Sequence, residues 1–293
     1  MTSLTYVIVN WNLKGDTLEC LASLLTAGAS PDQIVLVDNG STDGSVVAIC
    51  QRFGDQVNLI CNPTNLGYVP ALNQGIQYAL QNGAEWVLLL NNDTVVAPDF
   101  LRGFSFHLAS KVGYAILAPL IYYYSDPSRI WYLGDSLIPG TLLGWSRYHG
   151  KKSSKLPEIL PVDFVSGCAM LVRRDVFEHI GLFDPELVMY GEEVDFIWRA
   201  RLAGYRCAAI TSSRMWHKIS LSASRVRAQT RYLRVRNQAR FYKRYGSSVQ
   251  YPLLFIFSLV KLISTVLCDL IRRQSELIDP LFRGFWDGWR WSQ

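Results

Sequence analysis

The chain has 293 residues, of which 49% are hydrophobic, 13% aromatic and only 18% charged. That length and apolar content support one large core or two small ones, and exclude a disordered chain, a collagen-like chain and a small disulfide scaffold. The formal net charge of +5 is unevenly spread: residues 1–195 carry 11 basic and 20 acidic residues, residues 196–268 carry 14 basic and none acidic, and residues 269–293 carry four of each. An acidic body followed by a basic stretch points to a second task involving anions such as phosphates or acidic lipids.

In chain order, Leu4–Asn10 is a short apolar, β-rich run and predicts a strand. Ile34–Asp38 and Asn58–Cys61 predict two more, and residues 86–90 the strongest of the set. Helical periodicity lies between them at residues 14–27, 42–53 and 68–81, each followed by a glycine (Gly28, Gly54, Gly83) where helix C-caps belong. Continuous apolar strands alternating with helices imply a parallel sheet covered on both faces, with ligands at the carboxyl ends of the strands. After Pro98 the order changes. Strand-like pieces fall at 114–118, 130–133, 162–165 and 169–173, with a Lys-, Ser- and Pro-rich loop at 149–161 and a helix at 192–203. Ala228, Tyr232, Val235, Ala239 and Tyr242 then follow the spacing of one helix face, flanked by Arg227, Arg231, Arg234 and Lys243.

The six cysteines are scattered, with no Cys-x-x-Cys pair, and read as reduced. No signal-peptide pattern opens the sequence, so a cytoplasmic location is expected. No Gly-x-Gly-x-x-Gly follows a strand and no Walker-type Gly-Lys-Ser/Thr is present, which weakens the dehydrogenase and P-loop alternatives.

The strand ends are instead rich in Asn and Asp. The first ends Val9-Asn10-Trp11-Asn12, the second Val37-Asp38-Asn39-Gly40-Ser41-Thr42-Asp43. After the third comes Asn65-Leu66-Gly67-Tyr68, followed by Asn73, and the fourth ends Leu90-Asn91-Asn92-Asp93. Each cluster alone is an ordinary turn signal. Four in succession suit a nucleotide–phosphate site, where one Asp accepts from a base or ribose and another binds a divalent cation.

With these residues the chain resembles the family 2 glycosyltransferases of GT-A fold, particularly their bacterial rhamnosyltransferase-like branch. Val-Ile-Val-Asn-Trp-Asn (7–12), Val-Asp-Asn-Gly-Ser-Thr-Asp-Gly-Ser (37–45), Asn-Leu-Gly-Tyr (65–68), Leu-Leu-Asn-Asn-Asp (89–93), Ser-Gly-Cys-Ala-Met-Leu-Val-Arg-Arg (166–174), Tyr-Gly-Glu-Glu-Val-Asp-Phe (190–196) and Trp-His-Lys (216–218) carry the likeness. It implies a mixed, mainly parallel α/β sheet flanked by helices. A catalytic domain would occupy 1–224, with a nucleotide-binding half (1–97) and an acceptor half (98–224). A basic and apolar helical region at 225–293 would associate with a membrane.

The resemblance also assigns roles. Val9, Asn10, Asp38, Asn65, Gly67, Asn73, Asn91, Asn92 and Trp216 would line the nucleotide-sugar cleft. Asp93 matches the last carboxylate of the family's Asp-x-Asp metal motif, whose first position is here Asn91, and His217 matches a late metal-side histidine. The implied cofactor is Mg²⁺ or Mn²⁺. Glu192, Glu193 and Asp195 open a helix, where carboxylates also complement the macrodipole. Residues 192 and 195 share a face and Glu193 points elsewhere. The motif places the catalytic base at Glu193, with Asp195 second. The expected reaction is inverting transfer of a sugar, L-rhamnose from dTDP-rhamnose on branch resemblance, to a hydroxyl of a lipid-linked or cell-envelope glycan. A catalytically silent membrane-bound scaffold of the same fold is the alternative.

Residues 252–271 are almost entirely apolar and long enough to cross a bilayer. Lys261 at the midpoint costs about 2.5–3.5 kcal/mol on insertion scales. Helices lying in the interface of the inner membrane face, peripheral or monotopic, are therefore expected over a span. A hydrophobic contact between copies, giving a homo-oligomer, is a further reading. The basic stretch lacks a nucleic-acid-binding module, and no nucleic-acid partner is expected.

Overall fold

The computed structural model describes residues 3–109, 113–153, 155–219 and 227–291. Four parallel strands, β1 (Leu4–Asn10), β2 (Ile34–Asp38), β3 (Asn58–Cys61) and β4 (Trp86–Asn91), form one half of the main sheet. Helices α1 (Lys14–Thr26), α2 (Ser45–Phe53) and α3 (Tyr68–Gln81) connect them. The other half contains β5 (Thr94–Val96), β6 (Ile116–Tyr123), β7 (Ile130–Tyr132), β10 (Ile159–Val162), β11 (Ala169–Arg173) and β12 (Cys207–His217). The strand order is β10-β12-β6-β11-β4-β1-β2-β3, with β5 on β12 and β7 on β6. Strand β11 runs antiparallel to both β4 and β6, whereas β12 and β6 are parallel. The sheet is thus mixed and mainly parallel, as expected. A small hairpin of β8 (Ser136–Leu137) and β9 (Gly144–Trp145) stands apart.

Strand alternation divides the core. Val7, Val37, Val87 and Leu89 face α3 (Leu72, Ile76), α5 (Arg174–Ile180) and α6 (Glu192–Leu202). Tyr6, Ile8, Leu36 and Leu88 face α1, α2 and α4 (Phe100–Ala109) through Leu21, Ile49, Phe100 and Phe104. Helix α3 lies so close to the sheet that a Cβ on Gly75 would sit 2.4 Å from Val7 Cγ1.

Two predicted strands have other bounds than expected, and each contains a proline. The strand expected at 114–118 continues through Pro119 to Tyr123. Its pairing with β11 involves only Ile116 and Leu117, so the proline removes no hydrogen bond on that side. The strand expected at 162–165 is β10, which includes Pro161 and occupies a sheet edge where proline is tolerated.

The C-terminal helices are α7 (Arg227–Tyr245), α8 (Tyr251–Ile271) and α9 (Ile278–Arg290). The boundary placed at 224 lies outside the described residues. Helix α7 is no solvated basic rod. Leu233, Asn237 and Phe241 are buried, and so are Ala239 and Tyr242 of the predicted stripe, while Ala228 is exposed. Helix α9 lies against α7 through glycines: a Cβ on Gly284 would meet the Tyr232 carbonyl oxygen at 2.5 Å, and one on Gly288 the Ala239 Cβ at 2.6 Å.

Among the described residues, six of the 14 basic side chains at 196–268 pair with carboxylates, Arg231 with Asp269 among them. Arg199 pairs with Asp195, Arg201 with Asp163, Arg214 with Asp99, Lys218 with Asp16 and Glu19, and Arg244 with Asp184 and Asp195. Part of the charge asymmetry of the sequence thus reflects one half of the chain holding the other.

Candidate active site

The carboxyl ends of β1, β2 and β4 converge on a buried polar network. Asn10 Nδ2 donates to Asp38 Oδ1 at 2.7 Å and to Ser41 Oγ at 3.1 Å. Asn10 Oδ1 accepts from Thr17 Oγ1 at 2.8 Å and from Asn92 Nδ2 at 3.1 Å. Asn92 Nδ2 also donates to Thr17 Oγ1 at 2.9 Å. Fully buried and with its side-chain amide committed, Asn10 positions Asp38. Asn92 ties the β4 end to α1 in the same way. Asp38 accepts from Asn10 and from the Ser41 backbone N–H at 2.9 Å. A carboxylate has about four lone-pair sites, so acceptor capacity remains.

Beside it, Asn39 organises the next loop. Its amide donates to Asn65 Oδ1 at 2.9 Å and to the Gly67 carbonyl at 3.0 Å, and it accepts from Asn62 and from the Leu66 N–H at 3.1 Å each. Asn65 Oδ1 also receives the Gly67 N–H at 2.8 Å. Gly67, at φ 92°, opens α3 in a conformation that favours glycine. Val9, half-buried, pairs across the sheet with Asn91 on the α3 side. Two other expected residues lie elsewhere. Asn73 exchanges two hydrogen bonds with the Phe183 backbone, at 2.9 and 3.2 Å, and acts as a clamp between α3 and the following layer. Trp216 packs with Leu120, Tyr122 and Ile130, because strand alternation turns it away from the side on which its neighbour His217 sits.

His217 Nε2 lies 3.2 Å from Asp93 Oδ1, and both side chains are buried. The edge of Trp131 closes over the imidazole, with ring centroids 4.3 Å apart at 73°. Lys218 ties this strand end to α1 through Asp16 and Glu19 at 2.6 Å each. Among the described residues no third Asp, Glu, His or Cys joins the pair into a cluster. One carboxylate and one imidazole suit a divalent cation that takes its remaining ligands from phosphate oxygens and water, and the imidazole favours Mn²⁺ over Mg²⁺. The residues present thus fit the implied metal, with Asn91 contributing no charge. Asn91 Oδ1 instead faces the Tyr68 hydroxyl at 3.4 Å.

The three carboxylates at the start of α6 have separate surroundings. Asp195 accepts from Arg199 Nε at 2.9 Å, Arg244 Nη1 at 2.9 Å and the Tyr245 hydroxyl at 2.7 Å, and is 3% exposed. It is an anchor for α7. Burial alone would lower the pKa of Arg244; its bonds to Asp184 and Asp195 outweigh this and hold it above its ordinary value. Glu193 packs against Gly167 and accepts the Gly191 N–H at 3.1 Å. Burial raises its pKa, and Arg234 partly offsets the rise while Asp135 adds to it. Burial, then the charge of Glu193, pushes Glu192 well above the ordinary carboxylate range. Its Oε2 is buried without a hydrogen-bond partner among the described residues. Burial raises Tyr68 as well, helped by the charges of Glu192, Glu193 and Asp93.

The approach to α6 is strained: Val188 and Tyr190 have φ of 63° and 65°. Asn237 of α7 holds this turn by donating to the Leu187, Met189 and Tyr190 carbonyls at 2.8, 3.0 and 2.6 Å. Sequence reasoning missed Asn39, Tyr68, Trp131 and Asp135 as site residues. For Asp135 the signal existed, a Gly-Asp at a strand end in Leu133-Gly134-Asp135, the same kind that singled out Asp38 and Asp93.

A mixed sheet with Asp/Asn-bearing strand ends, an Asp–His pair and a carboxylate-headed helix defines the class of GT-A glycosyltransferases. The Glycosyl transferase family 2 model matches residues 5–181. The chain belongs to that family, in its rhamnosyltransferase-like branch. It is 29% identical over 248 residues to an N-acetylglucosaminyl-diphospho-decaprenol L-rhamnosyltransferase of Mycobacterium tuberculosis, covering 77% of this chain and 79% of that protein. It is 26% identical over 201 residues to the dTDP-rhamnosyl transferase RfbF of Shigella flexneri, covering 68% and 62%. Among solved structures, the mannosyltransferase PcManGT from Pyrobaculum calidifontis, in complex with GDP-Man and Mn²⁺, superposes with a TM-score of 0.57 at 14% identity, over 97% of this chain and 86% of that one. At that identity the likeness concerns the fold.

Proposed function

We propose that the chain is an inverting, metal-dependent glycosyltransferase that moves a sugar, L-rhamnose from dTDP-rhamnose, to a hydroxyl of a lipid-linked or cell-envelope glycan. The carrying observation is the buried Asp93–His217 pair at the β4 end, where the Tyr68 hydroxyl meets Asn91, in a family 2 glycosyltransferase chain whose helix α6 opens with Glu192 and Glu193. The names of the relatives support the donor and the acceptor class.

Asp38, fixed by Asn10 and Ser41, accepts from the nucleoside, and Asn65 and Gly67 border the same cleft. Asp93 and His217 would hold a divalent cation, which when bound supplies positive charge against the leaving diphosphate. Glu192 and Glu193 are like charges in a buried place, so both do not ionise together. Burial raises both, and the motif position places the base at Glu193. Glu193 then takes the proton of the acceptor hydroxyl as that oxygen attacks the anomeric carbon.

We also propose that the protein works at the inner face of the cytoplasmic membrane. Helix α8 runs along α7, joined by Lys261–Gln238 and Arg231–Asp269, and packs on α9 through Phe255 against Phe285 and Trp289. Its outer stripe of Leu253, Ile256, Val260, Ile263 and Leu267 is exposed, as are Phe282 and Trp286 of α9. A helix held along its length against the body supports lying in the interface over spanning.

The test is a donor panel of dTDP-rhamnose and UDP-sugars with Mn²⁺, read by nucleoside diphosphate release and by product on a GlcNAc-diphospho-lipid. Turnover dependent on dTDP-rhamnose, abolished by Glu193→Gln, is expected. No turnover with any donor would leave the scaffold reading.

A further inference from the structure

The acceptor proposed above has three chemical parts: a sugar, a diphosphate and a hydrocarbon chain. One flank of α7 offers three matching surfaces in sequence. Tyr190 stands just before Glu192 and Glu193, and the Arg234 guanidinium lies 4.4 Å from its ring centroid. Thr230, one turn earlier on α7, approaches the Tyr190 hydroxyl at 3.5 Å. Gln238, one turn later, accepts from Lys261 Nζ at 3.0 Å. Arg234 and Lys261 are thus joined through a single turn of α7.

Arg199, Arg231 and Arg244 each reach a carboxylate at 2.9–3.2 Å. Among the described residues, neither Arg234 nor Lys261 makes such a pair, and Arg234 is exposed. Among the described residues Arg236 and Arg240 of the same helix also reach no carboxylate; Arg234 and Lys261 are set apart by place, one over Tyr190 beside the turn into α6 and one within the apolar helix α8. Lys261 moreover interrupts the apolar helix α8, flanked by the exposed Val260 and Ile263. A cation there is unfavourable next to lipid unless an anion meets it. The arginine fork suits paired phosphate oxygens, and the lysine supplies a point charge beside it.

We propose that Arg234 and Lys261 bind the diphosphate of a polyprenyl-diphosphate-linked acceptor, with its sugar at Glu193 and its hydrocarbon chain along the α8 stripe. The inference rests on the lipid-linked acceptor reading, and its test is a binding measurement that needs neither donor nor turnover.

The full-length protein, Arg234→Gln and Lys261→Gln are titrated with farnesyl diphosphate and with farnesol, read by tryptophan fluorescence. dTDP with Mn²⁺ and vesicles containing phosphatidylglycerol are titrated in parallel. The native protein is expected to prefer farnesyl diphosphate over farnesol at least about tenfold. Each variant should reduce that preference several-fold and keep dTDP affinity and farnesol affinity. Equal binding of the two farnesyl ligands by the native protein overturns the proposal. So does a preference that survives both substitutions, or substitutions that weaken vesicle binding alone, which would assign these cations to membrane lipid.

Discussion

Glu193 and Asp195 lie two residues apart on α6, and their substitution should have opposite consequences. Asp195 is nearly inaccessible and receives three hydrogen bonds, two from arginines whose side chains are 24% exposed. Asp195→Asn keeps the shape and removes the charge. Breaking a buried ion pair costs about 3–5 kcal/mol, and partial hydration of the arginines lowers this to about 2–4 kcal/mol. At roughly 2–4 °C per kcal/mol for a chain of this size, the midpoint of thermal unfolding should fall by about 5–15 °C. Glu193→Gln replaces a carboxyl that burial already disfavours as an anion. Its midpoint at pH 7.5 should equal or exceed that of the native protein, while transfer falls by about 10²–10⁴-fold. The assay pairs circular-dichroism melting with initial rates on folded protein well below either midpoint. The reasoning is refuted if Asp195→Asn melts like the native protein yet loses transfer, or if Glu193→Gln unfolds early and retains its rate.

Three further outcomes follow from the geometry. Because the Glu192 pKa is raised in the folded state, its protonated form favours folding; that contribution is complete below about pH 4.3, the unfolded value, and is lost as pH rises through the raised value. Glu192→Gln should therefore raise the melting midpoint at pH 7–8 and give no gain at pH 4, and a constant gain across that range would contradict the assignment. Gly288→Val places side-chain atoms against the Ala239 Cβ and the Arg236 carbonyl; a loss of about 1–3 kcal/mol in denaturant unfolding is expected, and an unchanged midpoint would show that α9 does not bear on α7. Ile256→Asn, Val260→Asn and Ile263→Asn together alter only exposed positions; melting should shift little while vesicle flotation falls at least about tenfold, and undiminished flotation would sink the membrane reading of α8.

The elements of the first half were legible because their signals are local. Apolar runs, Asx-Gly ends and glycine stops sit within a few residues of one another, and β1, β2 and β3 have the bounds that the pattern gives. The roles of amides were not legible. Asn10, Asn73 and Asn92 look alike in sequence, and only the fold shows that their bonding groups are spent on Asp38, Phe183 and Thr17. The facing of Trp216 is not legible for a related reason: the β12 register shifts between Ile210 and Arg214, so which face each later residue takes is decided by pairing with β6. The charge split was visible but its meaning was not, since the partners of Arg244 and Lys218 lie 49–60 and about 200 positions away.

The hold of α7 on the turn before α6 also bears on how the protein is made. Synthesis proceeds from the N-terminus, and earlier segments can fold as they emerge from the ribosome. A nascent chain that has emerged as far as residue 224 contains the Asp93–His217 pair and Glu193. It still lacks Asn237, Arg244 and Tyr245, which fix the turn at 187–190 and the charge of Asp195. The strained turn has no reason to persist until α7 arrives, and α7 is followed immediately by the apolar helix. The bonds that complete the approach to α6 thus become available only once α7 has emerged, late in synthesis.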